Sequence, residues 1–276
     1  MPYFNVKKIN NDVLKIDRKL IKRNHFKNLH QELINKNYFE FFNLLKNDTN
    51  IDPLTIKDFI DDLALQTQIC IKSSKMLYLH GYVLYTQLCK YLIDNPEIDF
   101  VNIIETGTAR GFSSICMAKA FKDLNRQGKI YTIDIIPNNL VTYWNCINDF
   151  KGPVTRPDLL SKWKNLCESY IEFLSGDSKI ILEELNKKLD RVHFSFLDAH
   201  HNYDYLNYEL EFVTNKIQKN DIIVCDDYTY FNNGKIQYPG IIKAIDEYIS
   251  KYKPNYNIYY GSDGTKRRGY VVLKKT

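Results

Sequence analysis

The strongest constraint on this chain is a rhythm that runs from residue 101 to residue 273. Short apolar runs at 101–106 (VNIIET), 129–134 (KIYTID), 170–174, 192–198 (VHFSFLD) and 221–226 (DIIVCD) alternate with helical periodicity at 112–124, 178–189, 205–217 and 240–249. Two further runs, 257–260 and 269–273, follow at the end, joined through Gly261-Ser262-Asp263-Gly264. Strands alternating with helices of this length build βαβ units and a mostly parallel sheet. Right-handed crossovers then put helices on both faces. The expected fold is α/β: a doubly wound, mostly parallel, seven-stranded, Rossmann-like sheet, with the last strand inserted antiparallel from a terminal hairpin.

Residues 1–95 lack that rhythm. Leu29, Leu33, Phe39, Phe42 and Leu45 recur at helical spacing, and Asp52-Pro53 marks a further helix start. This part reads as an N-terminal helical extension, with 96–276 as the main domain; a chain of 276 residues is long enough for both. Two segments interrupt the alternation. Residues 135–169 are long for a connection between strands. Residues 228–239 (YTYFNNGKIQYP) follow a carboxylate pair and read as a lid.

Composition narrows the class. Hydrophobic residues make up 44% and charged residues 26%, the balance of a folded soluble protein. No apolar run approaches a spanning helix, and the first twenty residues show no apolar signal core, so a cytoplasmic location is expected. The formal net charge is +5, but Lys and Arg are scattered among Asp and Glu. Neither nucleic acid nor a membrane is therefore an expected partner. The small basic block Lys266-Arg267-Arg268 reads as a solvated turn before the last strand. The six cysteines show no CxxC pair or zinc-like spacing and read as small core residues in a reducing compartment.

The chemistry concentrates where strands end. Glu105-Thr-Gly-Thr-Ala-Arg-Gly-Phe-Ser-Ser114 lies where the first strand turns into its helix. Gly107 permits a tight turn and close backbone approach, Gly111 allows close packing at the helix start, and Ser113 and Ser114 bring hydroxyls to the first helical turn. Such turns are where open α/β sheets bind ligands. Ala109 stands at the second glycine of G-x-G-x-x-G, which disfavours pyrophosphate, and no Gly-Lys-Ser/Thr of a P-loop follows. An acid two residues before the first glycine suits a ligand bearing an ammonium. Asp134 ends the second strand, where an acid takes ribose hydroxyls. Ser175-Gly176-Asp177-Ser178 ends the third; Asp177 or Ser178 makes a good helix cap, and the loop lies beside the other two.

Asp198 ends the fourth strand, and Asp226 and Asp227 end the fifth. In the proposed sheet these strands are neighbours, so three carboxylates converge. They repel one another unless protonated or neutralised. A hard divalent ion with oxygen ligands, Mg²⁺ most readily, answers that need. His200 and His201 follow at once; adjacent side chains diverge, so the two are not expected to bind one metal, and one of them is a candidate either for general base or for contact with a ligand carboxylate such as methionine's.

IIETGTARGFSS, KIYTID, FLSGDS, FLDAHHNYD, IIVCDDY and PGIIKAIDEY occur in the order seen in class I S-adenosylmethionine-dependent methyltransferases, and roughly residues 73–273 resemble that family. The likeness is greatest to metal-dependent O-methyltransferases of antibiotic sugars and to cephalosporin-hydroxylase-like proteins. It implies a Rossmann-like methyltransferase fold, with S-adenosylmethionine and Mg²⁺ as cofactors. The cofactor-binding candidates are Glu105, Gly107, Thr108, Gly111, Ser113, Ser114, Asp134, Gly176, Asp177, Ser178 and Asp198. The metal candidates are Asp198, Asp226 and Asp227, and the catalytic candidates Asp198 and His201. Where the family's fourth-strand motif reads Asp-Gly-Asp-His-x-Tyr, this chain has Asp198-Ala199-His200-His201-Asn202-Tyr203, so His201 matches the family histidine and His200 replaces an acid. The expected reaction is O-methylation of a small-molecule hydroxyl, sugar-like or phenolic. A non-catalytic nucleoside-ligand binder of the same fold and an NAD-dependent oxidoreductase are the alternatives. Homo-oligomerisation is left open.

Overall fold

The computed structural model describes residues 23–70, 77–229, 231–232, 235–260 and 268–276. Four helices come first: α1 (Arg23–Ile34), α2 (Phe39–Thr49), α3 (Lys57–Thr67) and α4 (His80–Asp94). The alternation then follows as β1 (Phe100–Thr106), α5 (Phe112–Asp123) and β2 (Gln127–Asp134). The segment 135–169 contributes two short helices, α6 (Arg156–Leu159) and α7 (Lys164–Tyr170), ahead of β3 (Ile171–Ser175). Next come α8 (Ser178–Asn186), β4 (Phe194–Leu197), α9 (Tyr203–Thr214) and β5 (Ile222–Tyr228). The pair β6 (Phe231–Asn232) and β7 (Lys235–Ile236), α10 (Pro239–Tyr252), β8 (Asn255–Tyr260) and β9 (Gly269–Lys274) complete the chain.

The main sheet has seven strands in the order β3-β2-β1-β4-β5-β9-β8. β1 to β5 run parallel, and β9 is inserted antiparallel between β5 and β8. This is the doubly wound sheet the alternation predicts. The glycine-containing link 261–264 of the terminal hairpin, and Lys266 and Arg267, lie outside the described residues. So do residues 230, 233 and 234 of the segment expected to form a lid.

Side-chain alternation builds the core on both faces. Ile103 on β1 joins one apolar cluster and Ile104 the other. The first cluster runs on into the N-terminal helices through Leu45, Ile60, Leu63, Leu84 and Leu88. Helix α4 is buried around nearly its whole circumference, with 12 of its 15 residues inaccessible. Other elements thus enclose it, and buried polar groups on it have partners, as where Gln87 donates to Asp48 and the Thr86 hydroxyl to the Tyr82 carbonyl. No helix among the described residues is long and apolar enough to cross a membrane.

Candidate active site

Parallel register places the chemistry in one row. Thr106 pairs with Ile133 on one side and Leu197 on the other, and Leu197 pairs with Cys225. The next residue along each strand is Gly107, Asp134, Asp198 and Asp226. Asp134 in turn pairs with Ser175. The sheet's carboxyl edge therefore presents all four sequence-predicted clusters side by side.

At the first turn, Gly107 has φ +92°, and a Cβ there would stand 2.2 Å from the Asp198 carbonyl oxygen. Only glycine fits so close an approach in that conformation. The turn's amides face β2: Gly107 and Thr108 donate to the Ile133 carbonyl (2.8 and 3.3 Å), and Ala109 donates to Asp134 Oδ2 (2.6 Å). A pyrophosphate cradle needs such amides free, so the geometry agrees with the missing glycine at position 109. Gly111 has φ +83°, and a Cβ there would sit 2.6 Å from Leu160. The Thr108 hydroxyl is shared with that of Thr132 at 2.5 Å.

Glu105 is inaccessible, and both its oxygens accept hydroxyl hydrogen bonds, from Ser113 and Ser114. These serines therefore serve the strand's carboxylate rather than the helix amides. The reason is desolvation: a buried carboxyl without donors costs several kcal/mol by order of magnitude. Burial raises the Glu105 pKa, with the two serines opposing.

Asp134 is held from three directions. It accepts from Ala109 N (2.6 Å) and Ile136 N (2.7 Å), and Arg156 Nη2 lies 3.4 Å from Oδ2. Burial raises its pKa against the pull of Arg156 and the two amides. A carboxylate has about four acceptor positions, so roughly one, on Oδ1, is left for a ligand hydroxyl. Arg156 is buried, donates to the Ala109 carbonyl (2.8 Å), Asn138 Oδ1 (3.2 Å) and the Ile136 carbonyl (3.3 Å), and packs over the Trp144 ring. The sequence gives no sign of it, because an arginine in an irregular connection looks like any surface residue.

At the third strand, Gly176 N donates to the Asp134 carbonyl (2.8 Å). Asp177 caps α8 by accepting from Lys179 N (2.9 Å) and also takes the Tyr205 hydroxyl (2.7 Å). The Ser178 hydroxyl donates to Glu209 Oε1 (2.7 Å), and Thr106 donates to Glu209 Oε2 (2.8 Å). Burial pushes Glu209 up to about 7, against those two donors. Glu209 is legible in retrospect, as an acid inside the Leu206, Leu210, Val213 stripe of α9.

The fifth strand does something a regular strand cannot. Cys225 pairs with Val271 and Tyr228 with Gly269, so Asp226 and Asp227 together face the single residue Tyr270. This β-bulge sets Asp227 at φ +59° and turns both carboxylates toward one cation. That cation is Arg268. Its Nε lies 3.0 Å from Asp226 Oδ1 and 2.9 Å from Asp227 Oδ1, and its Nη2 bonds Asp226 Oδ2. Arg268 is thus no solvated turn residue but the largely enclosed partner of the acid pair, with its side chain 14% exposed. Burial opposes ionisation of Asp226, yet Arg268 holds it below the usual carboxylate range. Burial pushes Asp227 up to about 7, helped by Asp226 and Asp198 and opposed by Arg268.

His201 Nε2 lies 3.3 Å from Asp198 Oδ1 and 3.4 Å from Asp227 Oδ2, with its ring against Tyr238. Burial alone would lower its pKa, but Asp198 and Asp227 outweigh that and raise it to about 9. His200 diverges as adjacency requires, stacking on Tyr205 at 4.5 Å and meeting Asn202. Asp198, His201 and Asp227 each offer an atom within 4.8 Å of the others, which suits a divalent ion. Two oxygens and one imidazole nitrogen fit that role, although an entering ion has to displace the His201 proton. Asp226, the third carboxylate of the expected triad, lies behind Arg268.

A cavity of about 430 Å³ opens at the opposite, amino-terminal edge of the sheet, by Asp48, Gln87 and Asn257. Its two carboxylates are already paired there: Asp48 accepts from Gln87 (2.7 Å) and Asn257 (2.8 Å), and Asp94 lies 2.9 Å from Lys90 Nζ. The carboxyl edge holds the candidate site.

Residues 104–228 match a family model described as a methyltransferase domain. No curated protein sequence matches the chain. Among solved structures, the Bacillus cereus O-methyltransferase in complex with SAH is similar at 14% identity and a TM-score of 0.52, covering 91% of this chain and 97% of that one. The TDP-rhamnose 3'-O-methyltransferase of calicheamicin biosynthesis is similar at 14% identity and a TM-score of 0.50, covering 91% and 93%. At such identities the likeness is one of fold. The matched segment contains the glycine turn, Asp134, Asp198, His201 and the Asp226-Asp227 pair, and over those residues the chain is similar to a methyltransferase domain.

Proposed function

We propose that the protein transfers the S-adenosylmethionine methyl group to a hydroxyl of a small-molecule acceptor, sugar-like or phenolic, with a divalent metal at the β4–β5 edge. The observation that carries this reading is the placement of His201 between Asp198 and Asp227, in the same row as the glycine turn. A base beside a cation site, next to a nucleoside-type pocket, suits deprotonation of a hydroxyl followed by in-line attack on a sulfonium methyl. The fold likeness to a rhamnose O-methyltransferase is in keeping with a sugar-like acceptor.

Each residue has a defined task. Asp134 offers its open acceptor position to the ribose, and Arg156 keeps that carboxylate in place. Glu105, accepting from Ser113 and Ser114, fixes the start of α5 against the end of β1. A bound Mg²⁺ or similar ion would hold the acceptor oxygen and lower its pKa. With an ion bound, His201 Nε2 would serve as a ligand and Asp198 would take the acceptor's proton; without one, that role falls to His201 or Asp198. The Tyr238 ring limits how far the imidazole turns.

Calorimetry with S-adenosylhomocysteine and with NAD separates this reading from an oxidoreductase, and binding of NAD alone would sink it. Methyl transfer from labelled S-adenosylmethionine is then assayed over sugar and phenol acceptors, in EDTA and with Mg²⁺ restored. Asp227→Asn should cost roughly 10–100-fold in metal affinity while leaving S-adenosylhomocysteine affinity nearly unchanged. Full transfer in EDTA would eliminate the metal and leave His201 or Asp198 acting alone.

A further inference from the structure

We propose that Arg268 is a resident counter-cation that withdraws Asp226 from metal ligation, so that a divalent ion here is held, among the described residues, by Asp198, His201 and Asp227. The inference rests on the metal-assisted reading above and concerns which residues of this chain serve it.

The geometry around Asp226 leaves no room for a metal. Its side chain is 0% exposed. The guanidinium fork occupies both oxygens, and Asp227 N adds a third hydrogen bond to Oδ1 at 2.5 Å. Planar, two-point pairing of this kind is what arginine does better than lysine. The neighbouring carboxylate is divided differently. Asp227 Oδ1 faces Arg268 Nε, while Oδ2 faces His201. One oxygen thus closes the ion pair and the other is presented to the open side, where Asp198 and His201 stand. The bulge at Asp226-Asp227 makes this division possible, because consecutive residues on an unbroken strand point to opposite faces.

Charge sets the consequence. Three ionised carboxylates without Arg268 carry three negative charges, and Arg268 reduces that to two. The acid cluster is then tolerable in the absence of a metal, and its hold on an entering dication is weaker than that of the bare triad.

The test is Mn²⁺ binding to the full chain, read from the paramagnetic resonance of free Mn²⁺, with S-adenosylhomocysteine calorimetry as the control for folding. Arg268→Gln frees Asp226 and adds a negative charge, so it should tighten Mn²⁺ by about tenfold or more. The charge-neutral double variant Arg268→Gln/Asp226→Asn should bind within about threefold of the unaltered protein, because its three ligands are untouched. A double variant that has lost Mn²⁺ while still binding S-adenosylhomocysteine shows Asp226 to be a ligand and overturns the proposal. So does an Arg268→Gln protein that binds no tighter than the unaltered one. If Arg268→Gln alone does not fold, the double variant still decides between the two. Absence of Mn²⁺ from the unaltered protein and both variants, with S-adenosylhomocysteine still bound, overturns the metal-assisted reading as well; loss confined to the double variant overturns only the assignment of Arg268.

Discussion

Two arginines, Arg156 buried and Arg268 partly so, stand at opposite ends of one row of residues, and they do different work. On the β2 side, Arg156 faces a single carboxylate, Asp134, which two backbone amides also hold. On the β5 side, Arg268 and His201 face three carboxylates, Asp198, Asp226 and Asp227. The first end is balanced and has roughly one acceptor position left over. The second is still negative with both cations charged. A balanced, amide-clamped charge is a frame, built to keep its shape whether or not a ligand is present. On the metal-assisted reading proposed above, the negative excess beside His201 serves to receive a cation. On that reading the same kind of ion pair is scaffold at one end and part of a binding site at the other, and the surplus charge makes the difference.

The comparison breaks first at Arg156, where the largest effect is expected. Arg156→Met leaves Asp134 buried without its cation and frees the Ala109 and Ile136 carbonyls. The loss should be about 3–5 kcal/mol of unfolding free energy, measured by denaturant titration, with S-adenosylhomocysteine affinity falling alongside. A loss below about 1 kcal/mol, as for an exposed pair, would remove Arg156 from the frame.

Glu209 sharpens the comparison through pH. Its folded pKa of about 7 stands above the ordinary value of 4.5, with burial the main cause. The stability this group contributes is then fully present below pH 4.5 and is lost as pH rises through about 7. Glu209→Gln removes that dependence. Relative to the unaltered protein, the variant should gain on the order of 3 kcal/mol between pH 4 and pH 8. Parallel stability curves for the two proteins across that range would show that Glu209 stays ionised in the fold.

The smallest effect belongs to Asp134 as a ligand group. Its remaining acceptor position supports one hydrogen bond to a ribose, so Asp134→Ala should cost about 1–3 kcal/mol of S-adenosylhomocysteine binding. Unchanged affinity, measured by calorimetry on a folded variant, would leave Asp134 as a strut of the frame and move the ribose elsewhere.

The alternation of short apolar runs with helical segments determined the sheet, because side-chain period and element length are local properties that survive in the sequence. It also determined that Gly107, Asp134, Asp198 and Asp226 would meet, since parallel strands of one sheet end on one edge. Even the adjacency of His200 and His201 told that the two rings diverge. The tertiary structure alone decided how these groups are paired. Arg156 reaches Ala109 across 47 residues, Arg268 reaches Asp226 across 42, and Ser178 reaches Glu209 across 31. No periodicity connects such positions. A lone arginine in a loop carries the same local signal whether it ends in water or against a buried acid. The bulge at Asp226-Asp227 is likewise a product of the neighbouring strand, because an extra residue exists only relative to the ladder that β9 supplies. Hydrophobic pattern is written residue by residue, whereas the partner of a buried charge is chosen by the fold that brings it there.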